Sequence, residues 1–167
     1  MTNFRGIFCL TISVICFFGC ATTPPTPKTQ LEIRQFQTRE FNVRDTKMVM
    51  KSCLNVLQDD NYIVKNANAD LGLLTATKEV DIASKGEVFA ALLFSGANAS
   101  WKKNQIIECS LNIGESGNKT TVRANFQSKI MSNKGEVLKV VTIEDPTFYQ
   151  TFFAKVDKGI YLGGHGL

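Results

Sequence analysis

Apolar and polar residues alternate most regularly in the second half of the chain, over residues 105–113 and 121–130. The apolar positions are Ile107, Cys109, Leu111 and Ile113 in the first stretch, and Val122, Ala124, Phe126 and Ile130 in the second. This period of two predicts strands with one face on a core and one in water, and the polar link over residues 115–118 predicts an antiparallel pair. A turn at residues 133–135 leads to a further strand over residues 137–143.

Two other stretches have a helical period. Asp45 is placed as the N-cap of a helix over residues 46–58, and Asp145 followed by Pro146 is the preferred order at the start of a second helix. The apolar positions are Val49, Met50, Cys53, Leu54, Val56 and Leu57 in the first helix, and Tyr149, Phe152, Phe153, Val156 and Ile160 in the second. The aromatic face of the second helix needs a sheet on which to pack.

The remaining segments complete the predicted order of elements. Residues 33–41 are polar and weakly alternating, which is typical of an edge strand, and short strands are predicted over residues 62–66 and 73–80 around a turn at 68–70. The order is β-α-β-β, an insertion, then β-β-β-α. It predicts an α+β domain in which two main helices pack on one face of a curved antiparallel sheet.

The segment from about residue 36 to residue 80 resembles the helix-grip domains of the BamC (NlpB) lipoprotein family. In that family a strand runs into a helix, a short strand follows, and an Asp-rich turn leads to a strand that begins after a glycine. The matching positions are Phe41, Leu57, Tyr62, Val64, Asp70, Gly72 and Leu74. The resemblance implies a helix-grip fold and a place among envelope lipoproteins, with one such domain here where BamC carries two.

The N-terminus resembles the signal sequences of bacterial lipoproteins. Arg5 precedes an apolar stretch of signal-peptide length over residues 7–18, which is followed by Gly19 and Cys20. The resemblance implies that residues 1–19 are a signal peptide, that cleavage occurs before Cys20, and that Cys20 is lipidated. Ala21 stands where Asp favours retention in the inner membrane, so the implied location is the periplasmic face of the outer membrane.

Residues 20–30 are predicted to be the lipidated cysteine and a tether rich in proline and threonine. Three of the chain's four prolines lie here, and such a segment is extended, with a reach of about 3 Å per residue. Residues 31–167 are then long enough for a single domain.

An uncharged apolar run lies within the predicted insertion, residues 83–104. Its candidate contact residues for a partner or the membrane are Val88, Phe89, Leu92, Leu93, Phe94 and Trp101. Three interpretations stay open: a third helix that completes the core, a mobile apolar segment that contacts a partner protein or the membrane interface, or aggregation-prone disorder.

The composition argues against several functions. The chain has 19 Lys and Arg against 15 Asp and Glu, and a net charge of +4 gives no basic footprint for nucleic acid. The sole histidine, His165, stands in a glycine-rich tail, so no metal and no other cofactor is predicted. Outside the export segment there are two cysteines, Cys53 and Cys109, which form a disulfide or, as we favour, remain buried thiols.

Two functions fit this inventory, and no residue set suits an enzyme. The first is a non-catalytic protein-binding or assembly module of an envelope protein complex, held to the membrane by its N-terminal lipid. The alternative is a carrier of a lipid or another hydrophobic ligand between the sheet and the C-terminal helix. The large residues of that helix favour the first function because they can fill the space, so a small-molecule ligand is not expected.

Overall fold

The computed structural model describes residues 28–81, 104–132 and 134–164. In this part of the chain, six strands form an antiparallel sheet and three helices accompany it, which confirms the predicted α+β class. The elements are α1 (Gln30–Gln37), β1 (Thr38–Phe41), α2 (Thr46–Asp59), β2 (Ile63–Asn68), β3 (Leu73–Asp81), β4 (Asn104–Ser116), β5 (Lys119–Met131), β6 (Val137–Thr142) and α3 (Pro146–Gly164).

The strand order in the sheet is β1-β5-β4-β3-β2, and β6 also pairs with β5. Two short strands share one side of β5: β1 pairs with residues 120–123, and β6 pairs with residues 127–131. The long β4–β5 hairpin is therefore the centre of the sheet. One lateral edge is β2, and the other is formed by β1 and β6 placed end to end.

The first element differs from its prediction. Residues 33–41 do not form one edge strand, because a helix occupies residues 30–37 and only Thr38–Phe41 is a strand. The helix begins with a capping box, in which Thr29 Oγ1 accepts from the Glu32 N–H at 3.3 Å and Glu32 Oε2 accepts from the Thr29 N–H at 2.7 Å. This reciprocal cap and the burial of Ile33 and Gln37 on one face favour a helix over a strand. Gln30, placed at the end of the tether, is already helical.

The two predicted main helices are confirmed, together with their caps. The Met48 N–H donates to Asp45 Oδ1 at 3.0 Å, and α2 ends one residue beyond its predicted end. At the start of α3, the Thr147 N–H donates to Asp145 Oδ1 at 2.9 Å. Each side chain satisfies a backbone donor that has no partner within its helix.

The core lies between the helices and the face of the sheet predicted to be apolar. The alternating residues of β4 and β5 and the aromatic face of α3 are all buried. Phe126 is at the centre, with its ring centroid 4.7 Å from that of Phe148, 5.3 Å from Phe152, 5.6 Å from Tyr149 and 6.1 Å from Tyr62. Aromatic side chains therefore fill the space between the helices and the sheet.

Gly72 fixes the turn between β2 and β3 against β4. Its φ is +64°, a conformation that L-residues with a side chain rarely adopt. A Cβ at this position would lie 1.8 Å from the carbonyl oxygen of Ile113, whose N–H donates to the Gly72 carbonyl at 2.8 Å. Only glycine permits so close an approach of two backbones.

Candidate interaction surfaces

The sequence-predicted contact residues lie outside the described residues. This applies to the lipidation site Cys20 and to Val88, Phe89, Leu92, Leu93, Phe94 and Trp101. Residues 28–81, 104–132 and 134–164 present other candidate surfaces.

Cys53 and Cys109 are buried free thiols, as favoured from the sequence. Burial raises the pKa of Cys53 to about 12 and that of Cys109 well above its ordinary value, with a further contribution from the neighbouring Cys53. The thiolate is the reactive form of cysteine, so neither residue is suited to nucleophilic chemistry. Their role is to fill the core beneath the sheet.

Tyr149 closes the seam where β1 and β6 meet along β5. Its hydroxyl donates to the Ile143 carbonyl at 2.9 Å and accepts from the Phe126 N–H and from Gln37 Nε2, each at 3.3 Å. Burial raises the pKa of this hydroxyl. The Tyr149 hydroxyl thus provides a hydrogen-bond partner for backbone groups of β5 and of the residue after β6, and for a side chain of α1. Without it, these groups would be left unpaired at the gap between β1 and β6.

An open groove of about 790 Å³ runs between α2 and α3 on their solvent side. Apolar parts of Met48, Val56 and Leu162 contribute to its wall. Its charged lining residues are four lysines and two aspartates: Lys47, Lys51, Lys155, Lys158, Asp59 and Asp60. Lys155 pairs with Asp60 at one end of the groove. The groove combines apolar surface with positive charge, but neither property specifies one kind of ligand.

The face of the sheet opposite the helices is mainly polar. A shallow depression of about 360 Å³ crosses it, with Thr75, Glu108, Asn125 and Gln127 among its lining residues. Nearby, Lys129 pairs with Glu108 at 2.7 Å. These side chains are partly exposed, as expected of the water-facing side of an antiparallel sheet.

The β6 strand is an exposed aliphatic edge. Val137 is 53%, Leu138 54% and Val140 50% exposed. Within the described part of the chain, β6 pairs with β5 on one side and with no strand on its other side. Unpaired backbone groups and aliphatic side chains are therefore presented together, a combination that natural edge strands usually avoid.

The opposite edge, β2, has a different character. Lys65, Asn66 and Asn68 are exposed, and the register with β3 shifts between Val64 and Asn66, which marks a bulge in the middle of the strand. Ile63 is exposed at the start of the strand. A bulge and a lysine both hinder the addition of a further strand.

Sequence reasoning located the β6 strand but not its exposure. The segment Val-Leu-Lys-Val-Val-Thr does not alternate, so its pattern did not separate a buried strand from an edge. The edge position of β6 follows from the pairing of both β1 and β6 with the same side of β5. The one available signal was a strand that carries apolar residues on both faces.

Two further features concern binding and membranes. Among the residues that the structure describes, no group of three His, Cys, Asp or Glu side chains could hold a metal ion. None of the described helices has both the length and the apolar character needed to cross a membrane.

The chain is similar to solved structures. No protein-family model and no curated protein matches the chain. A crystal structure of a DUF4468 family protein from Bacteroides ovatus is similar with a TM-score of 0.43 at 8% identity, over 80% of this chain and 89% of that one. At this level the similarity carries no functional argument.

Proposed function

We propose that this chain is an outer-membrane lipoprotein whose domain is a non-catalytic protein-binding module of an envelope complex. The signal-like N-terminus, with Cys20 after Gly19, supports the lipid anchor. Because Thr29 already caps α1, the tether is residues 20–27, and at about 3 Å per residue it would place the domain within about 25 Å of the membrane. The partner would then be a protein of the periplasm or of the same membrane.

The filled interior is the observation that favours a protein-binding module over a lipid carrier. A carrier needs an apolar cavity, and ligand pockets commonly have volumes of about 300–1,000 Å³. Here Phe126 contacts four aromatic rings between the sheet and the helices. The α2/α3 groove and the β6 edge lie at the surface instead, where protein partners bind.

The state of the thiols supports a non-catalytic role. Cys53 and Cys109 are the described residues with the most nucleophilic side chains, and burial raises the pKa of both. The deeply buried hydroxyl of Tyr149 is engaged in three hydrogen bonds that join structural elements.

The test is affinity purification of the tagged full chain, crosslinked in its own host and released from membranes with mild detergent. A Cys20→Ala variant, which cannot be lipidated, is purified in parallel. We expect one envelope complex to be enriched with the wild-type chain and to be weakened or lost with the variant. Lipid extraction followed by mass spectrometry is run on the same samples.

Two results would contradict the proposal. Recovery of the chain alone with a stoichiometric lipid would favour the carrier function. Equal membrane association of the Cys20→Ala variant and the wild-type chain would contradict the proposal that a lipid on Cys20 anchors the chain. Equal melting temperatures of the two purified domains serve as the control that the substitution leaves the fold intact.

A further inference from the structure

We infer that β6 binds its partner by strand addition: an extended segment of another protein pairs with the open edge of β6 and continues the sheet. The inference rests on the proposed protein-binding function and names the surface that performs it. The occupant is an extended peptide segment with aliphatic side chains and an acidic residue placed to face Lys139. The backbone, the side chains and the charge of β6 each support this assignment.

The backbone of β6 presents hydrogen-bonding groups to solvent. The Ile143 N–H donates to the Phe126 carbonyl at 2.9 Å, and the register pairs Val141 with Ser128. Because backbone groups of successive residues point to opposite sides of a strand, the N–H and C=O groups of Val140 and Thr142 point away from β5. No strand within the described residues pairs with this side of β6.

The side chains of β6 define the surface around these groups. Val137, Leu138 and Val140 are each at least half exposed, so three of the six residues of the strand expose large aliphatic side chains. A pairing segment would cover them with its own alternate side chains. In strand addition the main-chain bonds give affinity, and such side-chain contacts give specificity.

The unpaired backbone groups determine the class of occupant. The backbone N–H and C=O groups of a helix bond to each other, and lipid tails have no such groups. Neither a helix nor a lipid tail can therefore hydrogen-bond to the outward backbone groups of Val140 and Thr142. An extended segment presents both groups at the spacing of a strand. The open edge therefore specifies an extended protein segment and not a membrane surface.

The charge of β6 favours a different protein over a second copy. Lys139 has no ion pair among the described residues, and residues Val137–Thr142 include no acidic residue. A second copy of β6 would therefore bring another lysine, and its nearest carboxylates, Glu136 and Glu144, lie outside the strand. Opposite charges across neighbouring strands are stabilising, whereas like charges are unfavourable.

The experiment removes a backbone N–H donor from the open side of β6 and measures how much partner the crosslinked, tagged full chain captures. Val140→Pro removes an N–H that points to solvent and leaves the pairing of Lys139 and Val141 with β5 in place, and proline is tolerated at strand edges. Val140→Thr keeps the N–H and the β-branched shape as the matched control. We expect Val140→Pro to lower capture of the partner by about tenfold or more, and Val140→Thr to change it by less than about threefold.

A second variant and a crosslink map guard against misfolding of the proline variant. Lys139→Glu changes one exposed side chain and leaves the backbone intact, and it should lower capture by about fivefold or more. A photoreactive amino acid at position 138 should crosslink to a segment of the partner that is extended in the complex. Amides of residues 140 and 142 should gain protection from hydrogen exchange in the captured complex.

The outcomes separate this inference from the proposed function. Equal capture by the wild-type chain, Val140→Pro and Lys139→Glu would overturn the role of β6 while leaving the protein-binding module intact. Crosslinks from position 138 to a second copy, or to a helix of the partner, would overturn the stated occupant. No partner with any form of the chain, the wild type included, would overturn the proposed function and this inference with it.

Discussion

Two edge strands of the sheet, β2 and β6, have the same six-residue length but present different surfaces. Lys65, Asn66 and Asn68 make most of the β2 edge polar, and a bulge interrupts its register near Lys65. On β6, the register shift lies near Leu138, at the start of the strand, and residues 139–142 pair regularly with β5. One sheet therefore has a protected edge and an open edge.

The difference indicates that the aliphatic surface of β6 is not a requirement of the fold. Both strands complete the same sheet, and both leave one side of their backbone without a strand partner in the described part of the chain. Each strand also carries one lysine and one register shift, so the contrast lies in the place of the bulge and in the three exposed aliphatic side chains of β6. A bulge in the middle of a strand and a polar edge both hinder pairing with a further strand, whereas residues 139–142 of β6 pair regularly with β5 and lie beside exposed aliphatic side chains. The contrast therefore favours binding at β6.

The largest expected effect comes from Gly72→Ala, which strains the turn that holds β2 to β3. A left-handed backbone conformation costs a non-glycine residue about 1–2 kcal/mol, and the contact with the Ile113 carbonyl adds a similar amount. We expect the free energy of unfolding to fall by about 3 kcal/mol in urea denaturation. Hydrogen exchange should accelerate more in residues 63–68 than in residues 137–142.

Gly117→Ala is the matched control for this variant. Gly117 also has a positive φ, +62°, but a Cβ there would meet no atom within 4 Å. Gly117→Ala should therefore lower the free energy of unfolding only through its strained backbone conformation, by about 1 kcal/mol. Equal losses of stability in the two variants would show that the close approach at Ile113 does not hold the β2 turn.

Tyr149→Phe should weaken the opposite edge. Removal of the hydroxyl leaves the Phe126 N–H and the Ile143 carbonyl without this partner, and a buried polar group left unpaired costs about 1–3 kcal/mol. We expect a loss of about 2 kcal/mol, with faster hydrogen exchange near residue 143 and little change in β2. A uniform change in exchange across both edges would contradict this local role.

Alkaline pH should weaken both edges together, because Cys109 lies in the centre of the sheet. Its register partners are Ala76 of β3 and Phe126 of β5. Burial raises the pKa of Cys53 from 9.0 to about 12 and raises that of Cys109, so the unfolded chain releases these protons first. The stabilisation is complete below about pH 9 and is lost as the pH rises toward 12.

At pH 10 the expected loss is about 1 kcal/mol for Cys53, and Cys109 adds to the loss in the same direction, measured by urea denaturation against pH 7.5. A Cys53→Ala/Cys109→Ala double variant provides the control, because it lacks both titrating groups. It should lose less stability than the wild type over this interval. The same decrease in both proteins would assign the alkaline transition to other groups.

The smallest expected effect on stability comes from Lys65→Val, which makes the β2 edge resemble β6. Lys65 is exposed, so the free energy of unfolding should change by less than about 0.5 kcal/mol. Self-association, measured by sedimentation, should increase if the lysine protects this edge. A monomer at all concentrations would show that the bulge alone is sufficient protection.

Most of the fold was predictable because its strongest signals are local. The alternation through Cys109 and Phe126 identified the central hairpin, and Asp45 and Asp145 located the starts of two helices. Residues 33–37, predicted as part of a strand from their weak alternation, also follow a local helix signal, the Thr29 and Glu32 capping box. Helix starts and hairpins are determined by residues that are close together in the chain, so their patterns can be recognised in the sequence.

The candidate site was less predictable because it depends on contacts between distant segments. Whether β6 pairs with β5 depends on where β1 begins: β1 starts at Thr38, opposite Arg123, and leaves residues 127–131 of β5 to β6. Tyr149 was expected in the core from its helical spacing, yet nothing in that spacing indicates that its hydroxyl joins α1, β5 and Ile143. Apolar spacing predicts burial, but not the particular partners of a buried polar atom.

The end-to-end placement of β1 and β6 has a consequence for the order of folding. The β4–β5 hairpin is closed by a short turn at Gly117 and can form as soon as it is synthesised, because hairpins form within microseconds. In contrast, Glu40 of β1 meets Lys119 across 79 residues of chain, and Lys28 contacts the Glu144 carbonyl across 116. Contacts so distant in sequence form late. The segment beside the predicted tether is thus synthesised first and reaches its place in the sheet last, after β5 has become available to receive it.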